Sequence, residues 1–370
     1  MAITIPQDLL PADGRFGSGP SKIPVSRLES LAATGTSLMG TSHRQAPVKQ
    51  LVGRVRAGLA ELFALPDGYE VVLGNGGSIA FFDVVTYGLI RERSQHAVYG
   101  EFSKKFAAAA AAAPWLGEPT VRQAEWGRRA LPELEASVDV YALTHNETST
   151  GVMAPVERVA GATDQLMVVD ATSAAGGLPL DVSQSDVYFF APQKSFASDG
   201  GLWIALMSPA AIARAEEIAA SGRHIPAFLG LAEAVKQSRL DQTVNTPAVA
   251  TLYLMAEQLD WMNAEGGLAG MVARTSASAA VLYDWAEKAS YATPFVPEPA
   301  HRSLVVGTVE LDPSLPVKEV GAALRANGIV DVDAYRGVGA NQLRIAMYPL
   351  VDAADVEALT HCVDYVADRL

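Results

Sequence analysis

The chain has 370 residues, 49% of them apolar, and its 28 basic against 41 acidic residues give a formal charge of −13. That length allows one large domain with a smaller appendage, and that charge disfavours general attraction to nucleic acid or to an anionic membrane. The single cysteine, Cys362, leaves no disulfide partner and no cysteine metal cluster, so a buried apolar role is expected for it and no metal is expected.

The N-terminal "MAITIPQDLLPADGRF" has neither a basic start nor a sustained apolar core, and no apolar run nears ~18 residues, so a cytoplasmic protein is expected. "PVKQLVGRVRAGLAELFAL" then puts Val48, Leu51, Val52, Val55, Leu59 and Leu62 on one helical face. Short apolar strands follow, "YEVVL", "HAVYG", "VDVYALT", "LMVVD", "VYFF" and "LWIALM", alternating with helical patterns up to about residue 210. That alternation is the mark of an α/β fold around a mainly parallel sheet. "FAAAAAAAP" is a helix stopped by Pro114. From "VNTPAVATLYLMAEQLDWMNAEGG" the pattern is helical for some forty residues, with Thr246 expected at the N-cap and Pro247 at the first helical position. "RSLVVGTVEL", "VKEVGAALRANG", "IVDVD", "QLRIAM" and "DAADVEALTHCVDYVADRL" then spell strand, helix, strand, strand, helix, a small α+β unit.

Two glycine-rich stretches invite a nucleotide reading and fail it. "LGNGGS" could turn its N–H groups toward a phosphate or be a tight turn, but Ile79 stands where a dinucleotide fingerprint needs Gly or Ala. "GTSLMGTS" has Thr41 where a phosphate-binding loop needs lysine.

"APQKSFASDGG" sets Lys194 just past a strand that reads as buried, and "LMVVDATSAAGG" sets Asp170 at another strand's end. Singly, Lys194 could be a surface lysine and Asp170 a helix cap. Together with "GNGGS", at strand ends where α/β sheets bind ligands, they match the needs of pyridoxal phosphate. Those needs are a lysine amine for a Schiff base, an acid beside the pyridine nitrogen, and a phosphate cradle. Lys194, once displaced, would serve as a base.

Across nearly the whole chain, "FGSGPSKIP", "GTSHR", "GNGGS", "HNETSTG", "DATSAAGG", "APQKSFASDGG", "NTPAVATLY" and "QLRIAMYP" resemble the phosphoserine aminotransferase family, in particular its actinobacterial branch. The resemblance implies the fold-type-I architecture of pyridoxal-phosphate-dependent transferases. This comprises a large domain (15–262) with a mainly parallel seven-stranded sheet, a smaller C-terminal α+β domain (263–370), and an arm (1–14) packing on the small domain or a partner. It further implies a homodimer with shared active sites, and amino transfer between L-glutamate and 3-phosphohydroxypyruvate giving 2-oxoglutarate and 3-phospho-L-serine. The family commonly also accepts a 4-phosphohydroxy-L-threonine precursor of pyridoxine. Another aminotransferase of the same fold, such as an alanine– or serine–glyoxylate enzyme, is the alternative.

By the resemblance, Lys194 and Asp170 are the catalytic pair, Gly77, Ser78 and Gln193 meet the cofactor phosphate, and Thr148 and Thr172 lie near its ring. Phe102 takes the ring-stacking position where many members have tryptophan. Asn245 and Thr246 reach the neighbouring subunit's cofactor. The substrate falls to Ser18, His43, Arg44, Arg336 and Arg344, with Arg344 on the α-carboxylate and Arg44 on the distal anion. Tyr335-Arg336 stands where many relatives have His-Arg. One shared anion pocket for both substrates implies ping-pong kinetics with parallel double-reciprocal lines.

Overall fold

A computed structural model describes residues 3–338 and 341–370. Its strands in the first part of the chain are β1 (Glu70–Gly76), β2 (Ser94–Val98), β3 (Thr120–Gln123), β4 (Val140–Thr144), the two-residue ribbon β5 (Asn146–Glu147) and β6 (Val152–Met153), then β7 (Leu166–Asp170), β8 (Val187–Phe190) and β9 (Gly201–Met207). Seven of them form one sheet in the order β1-β9-β8-β7-β4-β2-β3. Only the pairs made by β9 are antiparallel.

Every residue of β4, β7 and β8 is buried, because helices cover both faces of the sheet and leave no side for water. The helices are α1 (Val25–Ala33), α2 (Ala46–Leu62), α3 (Ser78–Gly88), α4 (Glu101–Ala111), α5 (Pro209–Ala220), α6 (Leu231–Ser238) and α7 (Val249–Ala264). Successive strand residues go to opposite cores: Met167 and Val169 pack with α2 and α7, Leu166 and Val168 with α3, α4, α5 and α6. All six apolar positions expected on the inner face of α2 are buried. The alanine tract forms α4 and ends before Pro114.

Two local expectations are corrected. The helix expected to start at Pro247 starts at Val249, with Ala248 at its N-cap. Thr246 is engaged elsewhere: its hydroxyl meets His43 Nδ1 at 3.1 Å, and its carbonyl accepts from Asn75 Nδ2 at 2.8 Å. The strand β3 was not among the apolar runs, since as an edge strand it alternates half-buried and exposed residues.

The C-terminal part comprises α8 (Gly267–Lys288), β10 (Ala292–Pro294), β11 (Val306–Leu311), α9 (Val317–Ala326), β12 (Gln342–Ala346) and α10 (Ala353–Ala367), with an antiparallel sheet β10-β11-β12. "IVDVD" forms only single bridges, Val330 to Arg15 and Asp333 to Leu343, and β10 takes the third place in the sheet instead. Val330 is occupied by the N-terminal segment, donating to Gly14 O and accepting from Phe16 N. Ile5 and Phe16 join this third core, and Cys362 is buried in it. Residues 1–2 of the expected arm, and 339–340 within "DAYRGVGANQLRIAMYP", lie outside the described residues.

Candidate active site

The carboxyl ends of β4, β7 and β8 and the start of α3 meet at one pocket. It is lined by Gly77 and Ser78, by Phe102, by Asn146 and Thr148, by Asp170 and Thr172, and by Gln193 and Lys194. Eight of the residues singled out from sequence therefore converge, although they span more than a hundred positions. Gly77 is the N-cap of α3, so the glycine-rich loop does open a helix N-terminus toward the pocket.

Asp170 ends β7 and is 2% exposed. Thr172 donates to its Oδ1 from both backbone N–H (3.0 Å) and hydroxyl (2.5 Å), and that hydroxyl lies 2.6 Å from Ser78 Oγ. Burial pushes the Asp170 carboxyl up to about 6, against the Thr172 hydrogen bonds; Glu147 adds to the rise and Lys194 opposes it.

Lys194 is 9% exposed, and its ammonium donates to Ser18 O at 2.5 Å. Burial, then the charge of Arg344, lowers its pKa to about 8, with Asp170 opposing. The segment 17–21 lies directly over it: Ser21 donates to Gln193 O and Lys194 O, and Tyr348 OH donates to Ser18 O. A Cβ at Gly19, whose φ is +153°, would sit 1.8 Å from Lys194 Nζ. Gly19→Ala is thus expected to displace the amine and lower transaminase activity by about 100-fold or more, the usual effect of an ångström-scale misplacement. Gly200→Ala, where a Cβ meets nothing within 4 Å, is the control; equal steady-state rates for the two variants would refute the contact.

Ser18, Arg336 and Arg344 line an adjoining cavity with Gly17, Asp331, Asp333 and Tyr335. Two contacts connect it to the pocket: Lys194 to Ser18, and Arg344 Nη1 to Thr148 O at 3.3 Å. Arg344 Nε is buried and has no partner among the described residues, and its guanidinium stacks 5.3 Å above the Tyr335 ring. Tyr335 also meets Phe102 edge-on at 5.4 Å and accepts a hydrogen bond from Lys105 Nζ at 3.0 Å.

His43, Arg44, Asn245 and Thr246 do not line the pocket. They form a separate cluster around Asn75 at the end of β1, where Arg44 donates to Gln242 Oε1 at 2.6 Å and Asn245 N–H donates to Asn75 Oδ1 at 3.4 Å. His43 Nε2 is buried and has no partner among the described residues, and burial followed by the Arg44 charge lowers its pKa.

Among the described residues, no helix is long and apolar enough to cross a membrane, and no three His, Cys, Asp or Glu side chains form a metal-holding group. The family model described as aminotransferase class-V matches residues 21–359. The chain belongs to the class-V aminotransferases. It is 66% identical to a phosphoserine aminotransferase of Nocardioides sp., covering 100% of this chain and 99% of that protein. The crystal structure of a phosphoserine aminotransferase from Cytophaga hutchinsonii superposes with a TM-score of 0.87 at 23% identity, over 95% of this chain and 99% of the other. An alanine–glyoxylate aminotransferase from Nostoc sp. shares the fold as well, with a TM-score of 0.80 at 18% identity, over 98% and 97%. Fold alone therefore does not choose the substrate.

As a class-V aminotransferase the protein depends on pyridoxal phosphate, and the pocket suits that cofactor. It offers an amine, a carboxylate and a helix N-terminus, and the buried Gln193 Oε1 and Asn146 Oδ1 lack partners among the described residues. Sequence reasoning passed over Asn146 and Glu147, although both stand in the quoted "HNETSTG". It also passed over Tyr348, although it stands in the quoted "QLRIAMYP"; its hydroxyl reaches the site through Ser18.

Proposed function

We propose that this aminotransferase exchanges an amino group between L-glutamate and 3-phosphohydroxypyruvate, forming 2-oxoglutarate and 3-phospho-L-serine. The observation that carries the reading is Arg344, a half-buried guanidinium beside Lys194 that has one long hydrogen bond and a buried Nε with no partner among the described residues. A guanidinium so undersupplied is suited to an α-carboxylate. The 66% identical relative's name supplies the substrate class.

Gly77 and Ser78 at the start of α3, with Gln193, would hold the cofactor phosphate, and Asp170 would hold the ring nitrogen. Thr172 and Thr148 would border the ring, with Phe102 against its face. When bound, the cofactor supplies the electron sink that acidifies the substrate's α proton. Lys194 Nζ takes and returns that proton. A pKa near 8 keeps a usable fraction of free amine at neutral pH, and Ser18 O gives its hydrogens a fixed direction. Arg344 orients the α-carboxylate, and Ser18 and Arg336 face the same cavity.

His43, Arg44, Asn245 and Thr246 gain their roles in a two-fold dimer, where one copy's cluster completes the other's pocket. Exposed Ile79, which lines the pocket, and exposed Phe228, beside Gly76, support an interface there. The reading implies a cytoplasmic enzyme of serine biosynthesis, with the hydroxythreonine phosphate of pyridoxine biosynthesis as a second substrate. Purified protein with bound cofactor should form 2-oxoglutarate from glutamate and 3-phosphohydroxypyruvate; no product would overturn the reading. Arg44→Ala should lower kcat/KM for the phosphorylated substrate by about 100-fold, the effect of losing a buried charged contact. Turnover of alanine with glyoxylate, unaffected by Arg44→Ala, would instead favour the glyoxylate enzymes.

A further inference from the structure

One fully buried charged group in the pocket wall has no part in the scheme above. Glu147 is 0% exposed and stands between Asn146 and Thr148, both of which line the pocket. Its Oε1 accepts from Phe102 N–H (3.2 Å), Ser149 N–H (3.3 Å) and Ser149 Oγ (2.7 Å). Its Oε2 accepts from Ser103 N–H (2.9 Å) and Ser103 Oγ (2.9 Å). No Lys, Arg or His among the described residues pairs with it.

A buried carboxylate without a cation has to be held by donors; three of these come from the first turn of α4, where the helix dipole also favours negative charge, and the other two from Ser149. The chain is shaped around the contact: a Cβ at Gly100, the N-cap of α4, would lie 2.2 Å from Glu147 Cγ. Each carboxylate oxygen takes a backbone N–H, so an amide cannot replace it. Whichever way a glutamine turned, its NH2 would face an N–H and leave a buried donor unpaired.

We infer that Glu147 is a positioning residue of the active site, tying the start of α4, and with it Phe102, to the segment bearing Asn146 and Thr148, so that the two walls of the cofactor pocket keep one spacing. The inference rests on the reading of this pocket as the pyridoxal phosphate site. Two walls on different elements need such a tie, because a stacking ring contributes only when its distance and angle are held. The negative charge of Glu147 also falls on Asp170, where it adds to the rise that burial causes.

The test titrates cofactor-free protein with pyridoxal phosphate, read by absorbance and visible circular dichroism, alongside thermal melting. The proteins are wild type, Glu147→Gln, Ser149→Ala and Glu135→Gln. Glu135 lies outside the pocket and accepts bonds from Arg93, Gln95, Thr120 and Ser137. Glu147→Gln should bind the cofactor about tenfold more weakly and show a reduced visible dichroic band at saturation. Ser149→Ala, which removes the hydroxyl that donates to Glu147 and accepts from Glu101 N–H but leaves the three N–H donors to Glu147 in place, should move both readouts the same way by a smaller factor. Glu135→Gln should lower the melting temperature and move neither. If Glu147→Gln does not fold, Ser149→Ala decides. Wild-type Kd and dichroism in the Glu147 and Ser149 variants, with only the melting temperature changed, would overturn the inference. Failure of the wild type itself to bind the cofactor would overturn the underlying reading instead.

Discussion

Lys194→Ala is expected to lower the half-reaction with glutamate by about 10^4-fold, since it removes both the covalent anchor and the group that moves the α proton. The geometry makes no substitute available: the nearest basic group named at this site, Arg344, does not lose its charge near neutral pH. Borohydride should fix the cofactor to the wild type and not to the variant, and single-turnover rates within tenfold of each other would refute the assignment. The cofactor-free protein offers a second check. The Lys194 pKa is depressed from 10.5 to about 8 by burial, so its contribution to stability is present above about pH 10.5 and is lost as pH falls through 8. The alanine variant should lose that dependence.

Asp170→Asn is expected to lower kcat/KM by roughly 10^2 to 10^4, corresponding to the about 3–5 kcal/mol lost when one partner of a buried charge pair is removed. Asparagine retains the shape and an acceptor for the Thr172 N–H, so the loss isolates the charge. Stability should change in the opposite direction. In the folded cofactor-free chain the carboxyl is raised from 3.8 to about 6, which corresponds to about 3 kcal/mol. A raised carboxyl contributes stability below about pH 4 and loses it as pH rises through 6. Near pH 8 the cofactor-free variant should therefore melt above the wild type, and the gap should close on acidification. An active, less stable asparagine variant would show that the charge has no functional role.

The sheet was legible wherever burial is two-sided, because "LMVV" before Asp170 and "VYFF" are apolar for one physical reason. The helix α2 was legible because its six buried positions share one face. Legibility failed at edges and junctions. β3 pairs at a sheet edge with polar residues exposed, and Val330 prefers the distant N-terminal segment over a ladder of its own. Thr246 looked like a helix cap in isolation, yet a partner two hundred residues away, His43, outcompetes the local helix for its hydroxyl.

The active site divides along the same line. Residue type and position at a strand end were enough to single out Lys194, Asp170 and the "GNGGS" loop with Ser78, since those requirements are local, whereas Thr148, Thr172 and Gln193 were named only through the resemblance of their motifs. Other features depend on contacts between segments far apart in the chain, and only packing determines those. These are the backbone of Ser18 and Gly19 pressed onto the lysine, the Glu147 carboxylate joining α4 to the pocket floor, and Tyr335 wedged between Phe102 and Arg344. The chemistry was therefore written in the sequence, while the spacing and ionisation of the groups that perform it were decided by the tertiary fold, because burial and close approach are properties of the folded chain alone.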